Sequence, residues 1–433
     1  MKKVFGILLS LALFLQFSYA DLTIQIVQGV NKPYPIAVIP FGNDVGLAPI
    51  ITHDLSNSGR FAALPVSQMP ATPTQVLDFN WQQWNTANTG VEYAVVGNIT
   101  PGTAPKTFNV TFALLSLLSN QPMVGQQYTN ITASQLRLLA HQISDTIYQA
   151  ITGKQGYFRT RLAYVEVFNQ NTSHGIWELI VSDYDGFNPH VLLKQKNNPI
   201  ASPTWSPNGK QLAYVSYINN RQAIFTINLA TGVRKIIANF PGMNSAPAFS
   251  PDGKLMAMSL SGSDTSDQAD LYVMNLQTRQ LTRYSTYGNN TSPHFSPDGN
   301  TLVFNSDRGG SPQIYALDIP SKQITRLSYS GINNYSPVYT PDGSALVIMT
   351  QQSAGSPIRL ATLNIASNTI NIISTGQLDK SPSVAPNGDM VVYANYDSPR
   401  GILAETSLDG TVQINLPATD GTVQSPAWSP FLN

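Results

Sequence analysis

One eight-residue phrase recurs six times in the last two thirds of this chain, and it constrains the fold more than any other feature. The phrase reads Ser/Ala-Pro, two variable residues, Ser/Thr/Ala-Pro and Asp/Asn-Gly. Its first prolines stand at positions 203, 247, 293, 337, 382 and 426, so consecutive copies are 44, 46, 44, 45 and 44 residues apart. A repeat of about 40 to 50 residues that contains several short strands is typical of one β-propeller blade. The copies are 202–209, 246–253, 292–299, 336–343, 381–388 and the cut-off 425–430.

Each complete repeat has the pattern of four strands. The second proline and the Asp/Asn-Gly pair indicate a tight turn, because proline presets φ, Asp or Asn tolerates the bend, and glycine accepts a positive φ. The apolar runs after the turn, such as 212–215 and 255–260, show almost no polar alternation, which indicates strands buried on both faces. A third strand, such as 223–229, and a more polar fourth, such as 233–237, complete the blade.

The two ends of the repeat region complement each other. The last copy stops soon after its first strand, whereas 161–194 contains strand-like pieces without the phrase. Five complete blades and these two fragments make six. We predict that strand 423–429 pairs with the 161–194 segment in one composite blade, because such closure removes exposed sheet edges.

The region before the repeats has a different character. Residues 34–152 contain predicted strands at 35–41, 93–99 and 108–118, and predicted helices at 49–57, 74–85 and 132–151. Thr132 and Gln135 form the pattern of a capping box ahead of the strongest helix, and Gly153 is expected to end it. The fold class predicted is therefore a small N-terminal α/β domain, a hinge at 153–160 and a six-bladed β-propeller at 161–433, closed by the C-terminal strand.

The N-terminus indicates export. Lys2 and Lys3, the apolar stretch 4–17 and the small-residue site at 18–20 predict a signal peptide over 1–20. The expected location is the periplasm if the cell is Gram-negative. The chain contains no cysteine, which excludes disulfides and cysteine-ligated metals. Residues 21–28 alternate between polar and apolar side chains like a strand, and 29–33 contain a glycine and a proline that indicate a flexible connection. The segment 21–33 therefore fits either an edge strand or a detachable partner-binding arm.

The composition and motifs favour a binding protein over an enzyme. Charged residues make up only 11% of the chain, with 24 basic and 24 acidic side chains, so nothing indicates a nucleic-acid or membrane-binding surface. No Gly-x-Ser-x-Gly elbow is present, and the histidines lack the spacing of a metal site. His141 is interpreted as a partly exposed helix residue and His294 as a packed structural one. We predict no catalytic residue, metal or cofactor. The spacing leaves one alternative open, a pair of carboxylates from two different blades that acts as in glycosidases.

Three further stretches carry a family resemblance. They are the strand Pro-Ile-Ala-Val-Ile-Pro-Phe at 35–41, the hinge region at 144–164, and the tail formed by 416–421 and 425–430. Together with the signal peptide and the six phrases, they resemble the TolB family, the periplasmic component of the Tol-Pal system. The resemblance covers essentially the whole mature chain.

The resemblance implies a monomeric scaffold without catalysis, nucleic-acid binding or membrane insertion. In this family the propeller binds Pal, a peptidoglycan-associated outer-membrane lipoprotein, and the mature N-terminal segment binds TolA. The role is outer-membrane integrity and constriction during cell division, and some colicins exploit the same propeller surface. The alternative that the sequence leaves open is an exported ligand- or sugar-binding propeller without catalysis.

The resemblance also implies candidate site residues. Pal docks on the loops that lead into the phrases, here 242–246, 288–291, 331–335, 376–380 and 421–424. Ala246 and Thr291 match positions that the family uses, and Met243 stands where relatives often have histidine. The Pal-binding candidates are Met243, Ala246, Thr291, Tyr335 and Asp379. The TolA-binding candidates are Asp21, Leu22, Thr23, Ile24, Gln25, Ile26, Val27 and Gln28. Ordinary turn chemistry explains any one loop residue, but five loops converging on one face favour binding.

Overall fold

The computed structural model describes residues 32–170, 172–262, 268–285, 287–417 and 419–432. The predicted signal peptide and the arm candidates Asp21 to Gln28 lie outside the described residues. Residues 33–433 form one unit, and all the elements below belong to it. Among the residues that the structure describes, no helix has the length and apolar character needed to span a membrane.

The α/β domain is built on one five-stranded sheet. Its strands are β1 (Tyr34–Val38), β2 (Phe61–Ala63), β3 (Tyr93–Pro101), β4 (Thr107–Ser116) and β5 (Gln121–Thr132), and its helices are α1 (Leu47–Asn57), α2 (Trp81–Thr86) and α3 (Leu136–Thr152). The strand order is β2-β1-β3-β4-β5, with β1 parallel to both neighbours and the β3-β4-β5 part antiparallel. Apolar side chains of α1 and α3 share one core with this sheet.

Three parts of this domain differ from the prediction, and one of them is the short strand β2, which was not predicted. The single helix predicted over 74–85 is wrong: a 3-10 turn at Val76–Asp78 is followed by the separate helix α2. The break occurs because the Asn80 side chain accepts a hydrogen bond from the Gln83 backbone N–H at 3.0 Å, so a new helix begins at Trp81. β5 was not predicted, since most of its side chains are exposed and polar and lack an apolar period.

The helix α3 follows its prediction. The capping box of Thr132 and Gln135 is present over the 3-10 turn Ala133–Gln135, and α3 continues from Leu136. Gly153 ends the helix with φ 75°, a left-handed conformation that glycine adopts without strain.

The propeller consists of six four-stranded sheets. The first strands along the chain are β6 (Arg161–Phe168), β7 (Ile176–Asp183), β8 (His190–Lys196), β9 (Ala201–Trp205), β10 (Gln211–Ile218), β11 (Arg221–Asn228), β12 (Arg234–Ala238), β13 (Asn244–Phe249), β14 (Leu255–Ser261), β15 (Ala269–Asn275) and β16 (Leu281–Ser285). The remaining strands are β17 (Asn290–Phe295), β18 (Thr301–Ser306), β19 (Gln313–Asp318), β20 (Ile324–Arg326), β21 (Asn333–Tyr339), β22 (Ala345–Gln351), β23 (Ile358–Asn364), β24 (Ile370–Ile372), β25 (Asp379–Val384), β26 (Met390–Asn395), β27 (Ile402–Ser407), β28 (Gln413–Asn415) and β29 (Thr422–Trp428).

The predicted closure is present in blade 1, which combines β29 with β6, β7 and β8. β29 pairs antiparallel with β6, so that Trp428 lies opposite Leu162 and Thr422 opposite Val167. The Trp428 indole N–H also donates to the Thr160 hydroxyl at 2.8 Å. Blades 2 to 6 begin with β9, β13, β17, β21 and β25, each the inner strand that carries the phrase.

The Pro-Asp/Asn-Gly turns join neighbouring blades. The turn glycines of blades 3 to 6 have φ between 70° and 77°. A β-carbon on any of them would lie 3.2 to 3.8 Å from the turn proline of the preceding blade. The pairs are Gly253 with Pro207, Gly299 with Pro251, Gly343 with Pro297, and Gly388 with Pro341. These four positions lie at the turn ends of the blades, on one face of the propeller, which we call the turn face.

The α/β domain packs on the turn face through Asp389, which follows the turn of blade 6. Its side chain accepts hydrogen bonds from Arg60 at 3.0 Å, Lys154 at 2.8 Å and the Tyr148 hydroxyl at 2.5 Å. Burial alone would raise the pKa of Asp389, but the hydrogen bonds from Lys154 and Tyr148 and the charges of Lys154 and Arg60 hold it below the usual value. Asn387 completes the group by donating to the Asp389 carboxylate at 3.2 Å.

A second buried group crosses the same boundary around Asp54 of α1. The Asp54 carboxylate lies 2.8 Å from Nδ1 of His141 and accepts a hydrogen bond from the Tyr184 hydroxyl of the propeller at 2.6 Å. The interpretation of His141 as a partly exposed residue is wrong, since it is only 2% exposed. The reason is that α3 is covered by α1 on one side and by the β7–β8 turn of the propeller on another. Burial lowers the pKa of His141, but the hydrogen bond and charge of Asp54 more than offset this, so the pKa is raised.

His294 lies on the inner strand β17, as predicted. Its Nδ1 accepts the backbone N–H of Tyr339 in the next blade at 3.4 Å, and the two rings are 6.2 Å apart. Burial lowers the pKa of His294 to about 4, which keeps the ring neutral and Nδ1 free to accept. The residue therefore joins two blades.

Candidate partner-binding face

The loops that lead into the phrases lie on the face of the propeller opposite the turn face. Each inner strand starts at such a loop, and the inner strands of blades 2 to 6 end at a Pro-Asp/Asn-Gly turn, so the loops lie together on one face and the turns on the other. We call the first surface the loop face. Because Asp389 and its partners place the α/β domain against the turn face, the loop face is free of that domain.

Every inner strand has the same local irregularity next to its loop. The residue before the first proline has φ between 48° and 55° in all six phrases, although none of these residues is glycine. They are Ser202, Ala246, Ser292, Ser336, Ser381 and Ser425. The register of each inner strand with its neighbour shifts at the same place, which is the mark of a β-bulge. A left-handed non-glycine residue costs about 1 to 2 kcal/mol, and bulges of this kind redirect side chains at functional surfaces.

Four of the loops are held by a buried polar residue at the start of the inner strand. Asn244, Asn290, Asn334 and Asp379 are each 0% exposed. Asn244 donates to the carbonyls of Phe240 and Gly242 in its own loop at 2.8 and 3.2 Å. Asn290 and Asn334 likewise donate to loop carbonyls. The sequence prediction missed these residues, but the pattern Asn/Asp-x-Ser/Ala-Pro, shared by four of the six phrases, was a signal for them.

Four of the five Pal-binding candidates lie half-buried on the loop face. Met243 lies in the β12–β13 loop, where its backbone N–H donates to the Ser261 hydroxyl at 2.7 Å. Ala246 is the left-handed residue of its phrase, with φ 48°. Thr291 accepts a hydrogen bond from the Asn305 amide at 2.7 Å. Tyr335 pairs with Met349 across β21 and β22.

Asp379 differs from the other four, because its side chain is fully buried. It accepts hydrogen bonds from the Ser374 hydroxyl at 2.5 Å and the Asn395 amide at 2.9 Å, and burial raises its pKa. A partner cannot reach a side chain in this position, so the assignment of Asp379 as a contact residue is corrected to support of the loop. The next residue, Lys380, is exposed and lies 5.2 Å from the ring centre of Tyr396.

The structure adds exposed apolar residues that the sequence prediction did not single out. Tyr287, Tyr329 and Ile332, on the loops of blades 4 and 5, are 70%, 61% and 40% exposed. Exposed aromatic groups of this kind are enriched in the energetically dominant parts of protein interfaces. Each lies within two residues of a loop glycine, Gly288 or Gly331, so a large apolar residue beside glycine was the available signal.

The framework beneath these residues is rigid. The Arg308 guanidinium lies 5.2 and 5.0 Å from the ring centres of Phe304 and Tyr315 and donates to Asn290 at 2.8 Å. Such stacking and hydrogen bonding fix a long side chain that would otherwise lose entropy on binding. The loop face therefore presents exposed aromatic and aliphatic groups, together with the charged Lys380, on an ordered support, which suits binding of a protein surface.

One group of side chains has the donor types of a metal site. Asp54, His141 and Asp185 offer ligand atoms within 4.8 Å of one another, all buried. However, Asp54 already accepts from His141 and Tyr184, and Asp185 pairs with the Arg137 guanidinium. A cation at this place would compete with the positive charge of Arg137. We therefore assign the group to the contact between the domains.

Comparison with known families gives matches over both parts of the chain. A model described as the TolB beta propeller domain matches residues 148–432. A second, described as the TolB amino-terminal domain, matches residues 22–123.

Individual relatives match along nearly the full length. A Tol-Pal system protein TolB from Francisella tularensis subsp. mediasiatica is 37% identical over 443 residues, with 99% of each chain covered. One from Acinetobacter baylyi is 38% identical, with 95% of each chain covered. The crystal structure of TolB from Acinetobacter baumannii has a TM-score of 0.84 and 37% identity, covering 92% of this chain and 97% of that one.

Proposed function

This chain belongs to the TolB family of Tol-Pal system proteins, and from that membership we propose that it is a non-catalytic periplasmic scaffold of the Tol-Pal complex. It binds Pal through the loop face of the propeller at 161–433 and TolA through the N-terminal arm at 21–33, chiefly residues 21–28. The α/β domain at 34–152 and the hinge at 153–160 connect the two. In this role it supports outer-membrane integrity and constriction during division, and colicins exploit the same face.

The observation that carries the proposal for Pal is the composition of the loop face. Half-buried Met243, Ala246 and Thr291 share the loop face with the exposed Tyr287 and Tyr329. These residues combine an apolar centre with hydrogen-bonding groups, as protein interfaces do. The buried asparagines below them hold the loops in one conformation, which reduces the entropy lost on binding.

Pal binding is expected to depend on Ala246. Replacing Ala246→Trp places a bulky side chain on the loop face and is expected to weaken the affinity for the soluble domain of Pal about 10- to 100-fold. Calorimetric titration of residues 21–433 with Pal from the same organism measures this. The matched control is Ala230→Trp in an exposed turn of β11 and β12, on the turn face, which should leave the affinity unchanged. Equal affinities of all three proteins for Pal would contradict the assignment.

TolA binding is expected to depend on the arm. Deleting residues 21–28 should abolish binding of TolA and change the affinity for Pal only modestly, because the two partners use different parts of the chain. The same calorimeter measures both titrations on one protein preparation. If TolA affinity survived the deletion, the arm assignment would be wrong. A folded protein that binds neither partner would favour the exported ligand- or sugar-binding propeller instead.

A further inference from the structure

One stretch of this evenly charged chain is strongly basic. Residues 186–251 carry six basic side chains and no Asp or Glu, although the whole chain has 24 of each sign. The six are Lys194, Lys196, Lys210, Arg221, Arg234 and Lys235. All of blade 2 lies within this stretch. Lysines on β8 and β12 protect the outer edges of blades 1 and 2 from pairing with other chains, but edge protection does not require the absence of acidic residues.

Three of the six basic residues lie at the turn-face end of blade 2. Lys210 follows the turn of the phrase, and Arg234 and Lys235 follow the turn between β11 and β12. Among the described residues, neither Lys210 nor Lys235 forms an ion pair. Arg234 is held in place, since it donates to the Tyr214 hydroxyl at 2.6 Å and stacks 5.0 Å from the ring centre of Phe225. The positive charge of Lys210 and Lys235 therefore remains available to a ligand.

A cavity of about 530 Å³ opens between blades 2 and 3 at this place. Lys235 lines it together with the apolar side chains of Ile237, Phe249 and Leu276. Asn208 and Asp252, the turn residues of the two phrases, also line it, and Lys210 stands in the chain between the lining residues Asn208 and Gln211. The cavity thus combines one cation, Lys235, and one carboxylate, Asp252, with an apolar wall and the amide groups of Asn208 and Gln211.

We propose that this basic groove, formed by Lys210, Lys235 and the cavity between blades 2 and 3, binds an extended acidic segment of a partner protein. Carboxylates of the segment pair with Lys210 and Lys235, and an apolar side chain enters beside Phe249 and Leu276. The groove is recessed between two turns, which a flat lipid surface cannot enter. The Asp252 carboxylate in the lining repels a compact phosphate more than it repels a peptide with spaced charges.

This binding surface is separate from the one proposed for Pal. The groove lies on the turn face and the Pal candidates lie on the loop face, so both partners can bind at once. The inference does not rest on the proposed function. The two are distinguished by titrating Pal against the variants described below, which should bind it normally.

Two opposite substitutions test the charge of the groove. Asn208 accepts hydrogen bonds from the Ser206 hydroxyl at 2.8 Å and the Lys210 N–H at 3.0 Å. Asp252 accepts the equivalent bonds from Ser250 at 2.6 Å and Lys254 at 3.0 Å. The turns of blades 2 and 3 can therefore each be formed with either Asn or Asp at this position. Asn208→Asp should weaken acidic-peptide binding about threefold and Asp252→Asn should strengthen it by a similar factor, without change in folding.

The probe is a fluorescein-labelled peptide of alternating Glu and Leu, measured by fluorescence anisotropy with residues 21–433. We expect saturable binding that weakens as salt is raised, and no binding of the peptide with Gln in place of Glu. Lys210→Gln with Lys235→Gln should weaken binding about tenfold. The control, Lys106→Gln with Lys322→Gln, removes two exposed lysines elsewhere and should have no effect.

Three outcomes overturn the proposal. The first is absence of saturable binding of the Glu-Leu peptide at low salt. The second is an equal loss of binding in the control pair, which would indicate attraction to net charge alone. The third is binding of phosphatidylglycerol vesicles or inorganic phosphate that is tighter than that of the peptide and depends on Lys210 and Lys235, which would assign the groove to a lipid headgroup or free phosphate.

Discussion

Deletion of residues 423–433 is expected to abolish cooperative unfolding and to leave an aggregating protein. The deletion removes β29, the inner strand of blade 1, and with it Val423, 0% exposed, and Trp428, 5% exposed. β6 then becomes an open sheet edge, and the cores that contain Val423, Ala427 and Trp428 are opened to water. The stabilising free energy lost with an entire buried strand exceeds the free energy of unfolding of a typical domain, which is about 5 to 15 kcal/mol. Differential scanning calorimetry and size-exclusion chromatography measure the outcome.

Two further proteins make this experiment specific to closure. Trp428→Phe keeps the strand but loses the indole bond to Thr160, and it should cost about 1 to 3 kcal/mol while unfolding remains cooperative. A synthetic peptide of residues 419–433, added to the truncated protein during refolding, should restore a cooperative transition by strand complementation. A truncated protein with the melting temperature of the intact chain would contradict the role of β29.

Asp389→Ala is expected to destabilise the contact between the α/β domain and the propeller by about 3 kcal/mol. Four donors lose their acceptor, and the one that solvent cannot rescue is Tyr148, which is 0% exposed. Arg60 and Lys154 are partly exposed, so water takes over part of their hydrogen bonding and limits the loss. We expect the calorimetric trace to separate into two transitions as the two domains lose their coupling.

The pH dependence of the same variant gives an independent check. The pKa of Asp389 is lowered in the folded protein, so its contribution is complete above the unfolded value, near 3.8, and disappears as pH falls through the lower folded pKa. The stability difference between the intact protein and Asp389→Ala should therefore be constant above about pH 5 and shrink towards pH 3. Asp420→Asn, at an exposed carboxylate, is the control and should follow the intact protein. A difference that does not change with pH would mean that packing, not charge, sets the effect.

The propeller could be predicted from the sequence because its structure repeats. Six copies of one phrase, five of them with the complete turn, have the same local chemistry, and the single strand at the C-terminal end of the repeats complements the three strands that precede the first phrase. The α/β domain offered no such repetition, so β5, whose side chains are mostly exposed, left no apolar period to detect. His141 was misassigned because its burial depends on α1 and on a propeller turn far away in the sequence.

The candidate site was predictable only to the level of loops. Ala246 and Thr291 could be placed on one face because they hold the same position relative to the phrase. The phrase does not determine which side chain of a loop points inwards, so Asp379 was taken for a contact residue although it supports the loop from below. The exposed Tyr287 and Tyr329 lie outside the repeated pattern, where only three-dimensional packing distinguishes a surface aromatic from a core one.

The two faces of the propeller limit sequence change in different ways. On the turn face the eight residues of the phrase keep a constant length, and its glycines have φ of 66° to 77°, which other residues adopt only with strain. On the loop face a β-carbon on Gly242 or Gly288 would lie 2.5 or 2.9 Å from a backbone atom, so these loops also have fixed positions. Because the spacing between phrases varies from 44 to 46 residues while the phrase does not, insertions are accommodated between the turns and never within them.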